Sequence, residues 1–351
     1  MKKDNLNIMF STTRQWNPGD EFILLGTINL LKKYLSKDIN CIIYNRNPQI
    51  RVAYGKRELY KIIGNINLFS NFKDNSIHIN MDNKFIDLAV FAGSPEWFGK
   101  RSKDFYKICI ENNIKTLAMG IGLGGKTIHL KDYEKEILMK SEFISVRDKF
   151  TEKFLANFKA KFIPCPALFS SIKSKEVKEV KKIALTYACF DTVRANNINL
   201  KAYNYMKDLY NLIIENYGDN IEIEFVAHYI EELPKFYNDF KNHKIRYSYD
   251  SKDYLDIYND YDLVIGTRVH GIGISASLGV PGIMIAHDGR SETVKGFLAE
   301  IINVNDKLEK ALELIEKTII NVNEKSKSLI KHKMKVEELY KENIERIKET
   351  I

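Results

Sequence analysis

The chain has 351 residues, which is long enough to bury two hydrophobic cores of ordinary domain size. Apolar residues make up 44% and charged residues 28%, and these values exclude a wholly disordered chain. The net charge of +8 comes mostly from lysines spread along the sequence, so it does not predict the clustered basic patch of a nucleic-acid-binding protein. The positive charge does suit a protein that handles anionic ligands.

Neither a membrane-spanning segment nor a metal motif is visible in the sequence. No apolar run approaches the roughly 20 residues needed to cross a membrane. The four cysteines are far apart, and no Cys or His spacing matches a metal site. Because the N-terminal residues also lack a signal-peptide pattern, we predict a cytoplasmic protein.

Short apolar runs alternate with longer amphipathic segments along the chain, which predicts βαβ units and parallel sheets. The first half contains one clear predicted helix over residues 20–35, where apolar side chains recur at helical spacing. Its predicted strands cover residues 6–10, 39–44, 85–92, 116–119, 143–146 and 162–163. The first domain is therefore predicted to span residues 1–170.

A polar, highly charged stretch over residues 171–182 predicts a linker, and the pattern then restarts in a second domain over residues 183–305. Its predicted strands cover residues 183–187, 221–227, 245–247, 263–265 and 282–286, and its predicted helices residues 203–216, 229–242, 253–258, 271–278 and 292–298. Residues 306–351 are predicted to be a helical segment that ends in one amphipathic helix over 324–351. The mixed charges of that helix favour packing on the protein's own surface over a membrane-surface role.

Two such halves predict an α/β fold of two Rossmann-like domains that face a cleft, followed by a long C-terminal helix. Proteins of this class bind their ligands at the carboxyl ends of the parallel strands. The residues that directly follow predicted strands are therefore the candidates for a functional site.

The first candidate loop follows the strand predicted at residues 6–10. Gly19 permits a tight turn there, and Asp20 can cap the next helix through its backbone N–H groups. A loop at the N-terminus of a helix favours anionic ligands. A capped strand–helix turn without a ligand explains the same two residues more simply.

A second candidate loop runs from Gly93 to Trp97, after the most apolar predicted strand. Its glycine and proline indicate special backbone geometry. Ser94 and Glu96 offer polar groups to a ligand, and Trp97 offers a flat surface of the kind that stacks on sugar rings. Packing of Trp97 against the neighbouring domain is an equally supported alternative.

Two further motifs of the first half also follow predicted strands. Gly120 and Gly122 resemble part of a dinucleotide fingerprint, but the spacing is not G-x-G-x-x-G. Close approach of this backbone to a ligand, or close domain packing, is therefore favoured over NAD binding. Arg147 can bind an anion and Asp148 can cap the following helix, although a surface salt bridge is the simpler interpretation of Arg147 alone.

The strongest candidate is the turn after the strand predicted at residues 263–265. Thr267 can cap the following helix, and Arg268 supplies a planar fork for a carboxylate or a phosphate. His270, two residues further on, can move protons near neutral pH. The candidate substrate-binding set is completed by three residues that border predicted strands or helices: Gly271, His228 and His287.

In this order, these motifs resemble the polysaccharide pyruvyl transferase family over roughly residues 6–300. The chain departs from the family pattern in the loop after Gly93, at Cys165 and at Arg290. The resemblance is carried by Gly19-Asp20, Gly93, Met119-Gly120-Ile121-Gly122, Val146-Arg147-Asp148, Arg268-Val269-His270-Gly271 and Gly279-Val280-Pro281.

The resemblance implies a GT-B-like arrangement and transfer of pyruvate from phosphoenolpyruvate to sugar hydroxyls as a ketal. It implies that Arg147 and Arg268 bind the anionic donor and that His270 is catalytic. The implied acceptor is a glycan or a lipid-linked sugar of a cell-surface polysaccharide, so peripheral association with the inner face of the membrane is compatible with it. The resemblance implies neither a cofactor nor a metal nor a nucleic-acid partner.

Three other functions are compatible with parts of this pattern. A GT-B-type glycosyltransferase would use a nucleotide sugar, with Arg268 on its diphosphate. A binding or assembly protein could keep the fold without catalysis. An enzyme that depends on a metal or on NAD is the least supported, because the sequence contains neither motif in full.

Overall fold

The computed structural model describes residues 5–13, 17–36, 38–46, 86–93, 97–190 and 198–349. The chain divides into two compact units: Met1–Ile163 with Leu339–Ile351, and Pro164–Glu338. This division differs from the predicted one. Residues of the predicted linker pack within the second unit, where the buried Lys333 ammonium donates to Ser171 O and Ser174 Oγ.

The first unit is built on a parallel sheet, which has the order β2-β1-β3-β4-β5-β6 among the described residues. Buried parallel strands are expected to read as continuous apolar runs, as Leu88–Ala92 does. The strands are β1 Asn5–Thr12, β2 Asp38–Asn45, β3 Leu88–Ala92, β4 Lys115–Ile121, β5 Phe143–Val146 and β6 Lys161–Phe162. The helices of the described residues are α1 Pro18–Tyr34, α2 Lys103–Glu111, α3 Asp132–Lys140 and α4 Lys149–Phe154, with 3-10 turns at Lys100–Ser102 and Ala156–Phe158.

Two predicted helix caps have different outcomes. Asp148 caps α4 by accepting a hydrogen bond from the Thr151 N–H at 2.7 Å, so that prediction is confirmed. The cap of α1 is Asn17 rather than Asp20, because the Asn17 side chain accepts from the Gly19 N–H at 3.0 Å. Asp20 lies inside the first turn of the helix, where a carboxylate interacts favourably with the positive end of the helix dipole.

The second unit repeats this architecture, and its parallel sheet has the order β12-β11-β10-β7-β8-β9 among the described residues. Its strands are β7 Lys182–Tyr187, β8 Glu222–Ala227, β9 Ile245–Arg246, β10 Leu263–Gly266, β11 Gly282–Ala286 and β12 Glu300–Asn303. Its described helices are α5 Leu200–Tyr217, α6 Leu233–Asp239, α7 Asp253–Asn259, α8 Val269–Ser277 and α9 Leu308–Ile320, with 3-10 turns at Pro166–Phe169, Ile230–Glu232 and Gly289–Phe297. The last helix, α10 Val322–Lys348, begins in this unit.

Three details of the second half were predicted wrongly. Strand β12 was not predicted, since only Ile301 and Ile302 of its four residues are apolar. The helix predicted over residues 229–242 is divided into the 3-10 turn Ile230–Glu232 and the shorter α6, with a proline in its first turn. The helix predicted over 292–298 is a 3-10 turn.

Aromatic side chains pack around Phe225 of β8 in the core of the second unit. Phe225 of β8 lies 4.6 Å from Phe240 and 4.9 Å from Phe236, measured between ring centroids, and 5.9 Å from Tyr210 of α5. Each fully buried aromatic side chain of this kind stabilises the fold by roughly 1.5–3 kcal/mol. These contacts pack β8 against α5 and α6.

The last helix, α10, contributes residues to both units. Its buried side chains recur at helical spacing on one face, as predicted for an amphipathic helix: Leu329, Val336, Tyr340, Ile344 and Ile347. Among the helices of the described residues, none is both long and apolar enough to cross a membrane. Residue 85 of one predicted strand and residues 350–351 of the predicted last helix lie outside the described residues.

Candidate functional site

The turn after β10 begins at a glycine for a steric reason. Gly266 pairs with Thr186 of β7 in the sheet. A Cβ atom added to Gly266 would lie 1.8 Å from Thr186 Oγ1, which is far inside van der Waals contact. Only glycine fits there, so the chain can leave the sheet and deliver the next residues to its carboxyl edge.

Arg268 rather than Thr267 occupies the cap position of α8. The Arg268 backbone is extended, and the helix has no side-chain cap, so the prediction that Thr267 caps it is wrong. The Thr267 side chain is buried, and its Oγ1 makes no hydrogen bond within the described part of the chain. The Arg268 side chain, 10% exposed, ends at the same edge of the sheet.

Two neighbours hold the Arg268 guanidinium. Its Nη2 donates to the carboxylate of Glu232, and its Cζ lies 4.6 Å from the centroid of the Tyr229 ring. Neither Glu232 nor Tyr229 was predicted as a site residue from the sequence. The signal that could have identified them is the polar stretch over residues 228–232, which directly follows β8 at the edge where Arg268 was expected.

His228 lies under this turn and is buried. Its Nε2 forms a 2.8 Å hydrogen bond with Tyr258 Oη. Burial, and then the positive charge of Arg268, lower the pKa of His228 to about 3, so its imidazole is neutral near pH 7. A Cβ on Gly271 would lie 2.8 Å from Tyr258 Oη, so Gly271 allows the start of α8 to pack on this pair.

His270 and His287 follow neighbouring strands. His270 lies in the first turn of α8 and is half-buried, while the small residues after it are buried. His287 follows β11, and its Nδ1 is 3.7 Å from Asp288 Oδ2. Burial lowers the pKa of His287; the nearby Asp288 carboxylate opposes this, and Arg290 and Arg268 reinforce it. The Asp288 carboxylate in turn accepts two hydrogen bonds from the Arg290 guanidinium, at 2.8 and 2.5 Å, and one from the Arg290 backbone N–H at 2.9 Å.

The second unit therefore assembles most of its predicted site residues at one sheet edge. Arg268, His270, His228 and His287 all follow parallel strands of the same sheet, and β10 and β11 are direct neighbours. This arrangement offers a guanidinium, a half-exposed imidazole and the N-terminus of α8 in one place, which is a suitable environment for an anion.

In the first unit, Gly19 and Asp20 are engaged by the protein itself. The Gly19 N–H donates to Asn17, as described above. The Asp20 carboxylate accepts hydrogen bonds from Thr13 Oγ1 at 2.7 Å and from Arg46 Nη2 at 3.3 Å. The Arg46 guanidinium also lies 4.5 Å from the centroid of the Phe91 ring. The structure thus supports the simpler interpretation of this loop, a capped and internally bonded turn.

Trp97 belongs to the hydrophobic core of the first unit, so the prediction that it stacks on a sugar is wrong. Its side chain is 1% exposed, and its Nε1 donates to Gly122 O at 3.0 Å. A Cβ on Gly93 would lie 2.1 Å from Gly120 O, so Gly93 and Gly120 serve close packing of the backbone. Ser94 and Glu96, the polar residues of the same predicted loop, lie outside the described residues.

Arg147 directly follows β5 and is buried, which contradicts a surface salt bridge. A Cβ on Gly122 would lie 2.7 Å from Arg147 Nε and 2.9 Å from Asp148 Oδ2. Gly122 therefore leaves room for these two side chains. Arg147 belongs to the first unit and Arg268 to the second.

No group of three or more His, Cys, Asp or Glu side chains in the described ranges could hold a metal ion. The candidate site offers guanidinium and imidazole side chains, which are groups that can bind anions and transfer protons.

Comparison with solved structures shows a shared fold at low sequence identity. S. aureus MnaA matches with a TM-score of 0.57 and 13% identity, over 93% of this chain and 95% of that chain. The UDP-GlcNAc 2-epimerase of Methanocaldococcus jannaschii matches at 0.52 and 15%, over 90% and 92%. The UDP-GlcNAc 2-epimerase of Neisseria meningitidis matches at 0.51 and 10%, over 94% and 100%. These matches confirm the predicted GT-B-like class with two Rossmann-like domains.

Comparisons of sequence give one match and one negative result. No curated protein matches the chain. A family model described as polysaccharide pyruvyl transferase matches residues 17–289. That range contains Arg147, Arg268, His270 and most of both sheets. The chain therefore belongs to the polysaccharide pyruvyl transferase family.

Proposed function

We propose that the protein transfers a pyruvyl group from phosphoenolpyruvate to a pair of sugar hydroxyls, forming a pyruvate ketal on a cell-surface polysaccharide or its precursor. The observation that carries this proposal is the placement of Arg268 and His270 at the carboxyl edge of the second sheet, within a chain of this family. The edge combines a binding group for a small anion with a group that can transfer a proton.

Phosphoenolpyruvate suits this edge because it carries a carboxylate and a phosphate close together. A guanidinium binds either group through two parallel hydrogen bonds. The N-terminus of α8 adds backbone N–H groups and the positive end of the helix dipole. The assignment of Arg147 to donor binding stays a prediction.

The proposed reaction needs two proton transfers and the loss of phosphate. Protonation of the methylene carbon of phosphoenolpyruvate creates an oxocarbenium-like centre at C2, and one sugar hydroxyl attacks it and releases its proton. The bond from C2 to the phosphate oxygen then breaks, and the second hydroxyl attacks and releases its proton. One of the two hydroxyl protons replaces the proton that the methylene carbon took up, and the other leaves on the released phosphate. His270 is the proposed acid for the carbon or base for the hydroxyl.

The test is a donor-dependence assay with purified protein. Phosphoenolpyruvate should raise the melting temperature, and phosphate release should require both phosphoenolpyruvate and a sugar acceptor. UDP- and GDP-sugars serve as matched controls. A rise in melting temperature with a nucleotide sugar but none with phosphoenolpyruvate would contradict the proposal.

The same experiment tests a second candidate, a glycosyltransferase that uses a nucleotide sugar. The structure of S. aureus MnaA contains UDP, and that of the Methanocaldococcus jannaschii epimerase contains UDP-GlcNAc and UDP. In this alternative, Arg268 would bind the diphosphate. The family match favours phosphoenolpyruvate over this alternative.

A further inference from the structure

A single buried carboxylate joins two turns at the carboxyl edge of the second sheet. Glu232 ends the 3-10 turn Ile230–Glu232 after β8, and its side chain is fully buried. Its Oε2 accepts from the backbone N–H groups of His228 and Tyr229, each at 3.1 Å, and its Oε1 accepts from Arg268. Because β7 lies between β8 and β10, Glu232 connects turns that are not neighbours in the sheet.

Arg268 is consequently held from two directions. Glu232 binds one end of the guanidinium, and the Tyr229 ring faces it at 4.6 Å. The same carboxylate holds the backbone of Tyr229, so it fixes both contacts at once. An arginine that is already held in its binding orientation loses little side-chain freedom when a ligand arrives.

A second buried carboxylate of the same unit provides the contrast. Glu224 lies within β8 and accepts from Tyr261 Oη at 2.9 Å, with Lys182 Nζ at 3.0 Å. Lys182 begins β7, so this cluster lies near the amino ends of the strands rather than at the carboxyl edge. Both glutamates stabilise the unit, but only Glu232 contacts a residue of the candidate site.

We propose that Glu232 is a positioning residue that sets the Arg268 guanidinium in place for the anionic donor. This inference rests on the proposed function and deepens it. Two effects of the carboxylate oppose each other. Its negative charge weakens the attraction of the site for an anion, and its hydrogen bonds preorganise the arginine. The positioning effect dominates, because the buried carboxylate accepts hydrogen bonds both from Arg268 and from the backbone N–H groups of His228 and Tyr229.

Glu232→Gln shows which of the two effects is larger, because losing the negative charge should strengthen anion binding and losing the preorganisation of Arg268 should weaken it. Both oxygens of the carboxylate act as acceptors here, one for Arg268 and one for two backbone N–H groups. A glutamine amide has a single oxygen, so its NH2 group must face donors on one of the two sides. The variant therefore keeps the volume of the side chain and removes its negative charge, but it can no longer accept hydrogen bonds from Arg268 and from the two backbone N–H groups at the same time.

The experiment compares the wild type, Glu232→Gln and the control Glu224→Gln in the full chain. Calorimetric binding of phosphoenolpyruvate and steady-state kinetics are measured for each. Glu232→Gln should weaken phosphoenolpyruvate binding and raise its KM about tenfold or more, with a smaller change in kcat. Glu224→Gln should lower the melting temperature without changing this KM. If Glu232→Gln folds poorly, Glu232→Asp, which keeps the charge on a shorter side chain, should change the KM in the same direction.

A double-mutant cycle then tests whether Glu232 acts through Arg268. In an Arg268→Ala background, Glu232→Gln should cause little or no further loss of kcat/KM for phosphoenolpyruvate. Equal or tighter binding of phosphoenolpyruvate by Glu232→Gln would overturn the positioning role, and so would an undiminished loss in the Arg268→Ala background. Failure of the wild type to bind phosphoenolpyruvate would instead overturn the proposed function.

Discussion

Each unit carries an arginine–carboxylate pair at the carboxyl edge of its sheet, but the two pairs differ in what surrounds them. In the first unit, the side chains of Arg46 and Asp20 are 0% and 3% exposed. In the second, Arg268 is 10% exposed and is followed by the half-buried His270. A sealed pair can only stabilise the fold, whereas a partly exposed pair beside an imidazole can also meet a ligand.

The largest effect is expected at the pair formed by Arg268 and Glu232. Arg268→Ala should lower kcat/KM for phosphoenolpyruvate by roughly 10³-fold, because charged hydrogen bonds to the donor are lost. Arg268→Lys, which keeps a positive charge opposite Glu232 but lacks the planar fork, should fall by roughly 10²-fold. Phosphate-release kinetics measure both, with circular dichroism as the folding control. Wild-type activity in either variant would contradict the assignment of the site.

The sealed pair should instead affect stability. Arg46→Ala leaves Asp20 as a buried carboxylate without its arginine, which should cost about 3–5 kcal/mol in the free energy of unfolding. Urea denaturation measures this difference. A loss below about 1 kcal/mol would show that the pair is not the stabilising element that its burial indicates.

Trp97 provides a smaller test of the difference between core and site. Trp97→Phe removes the hydrogen bond to Gly122 O and should lower the free energy of unfolding by about 1–3 kcal/mol. The KM for the acceptor should not change, because the ring is buried. A higher acceptor KM with unchanged stability would restore the predicted sugar contact.

The smallest effect is expected for the stability at acidic pH, through His228. Burial, followed by the charge of Arg268, lowers the pKa of His228 to about 3 from its usual value near 6.5. Between these two pH values, His228 is protonated in the unfolded chain and neutral in the folded one. Its contribution to the free energy of unfolding is therefore fully present above about pH 6.5. As the pH falls below that value, this contribution is lost by up to about 1.4 kcal/mol per pH unit. Unfolding measured from pH 7 to pH 5 should therefore show a weaker pH dependence for His228→Gln. An unchanged slope in this variant would mean that His228 is not buried in its neutral form.

The sequence predicted the features that depend on local patterns. Apolar runs identified most strands of both sheets, and the position of Arg268 after a buried strand identified the edge where the site lies. The cap formed by Asp148 was also readable, since it depends on residues three positions apart.

The sequence could not predict features that arise from tertiary pairing. Glu232 meets Arg268 across an intervening strand, and 36 positions of sequence separate them. Trp97 looked like a ligand-binding residue because its loop follows a strand, but the carbonyl that accepts its N–H comes from the loop after β4. Asp20 lost the cap position to Asn17 because Pro18 begins the helix earlier than the apolar spacing indicated.

The most direct test is a crystal structure with phosphoenolpyruvate bound. We expect the carboxylate or the phosphate of the donor to contact the Arg268 guanidinium, with the His270 imidazole beside the reacting carbons and Glu232 still hydrogen-bonded to Arg268. Phosphoenolpyruvate bound away from Arg268, or a nucleotide sugar bound there in its place, would contradict it.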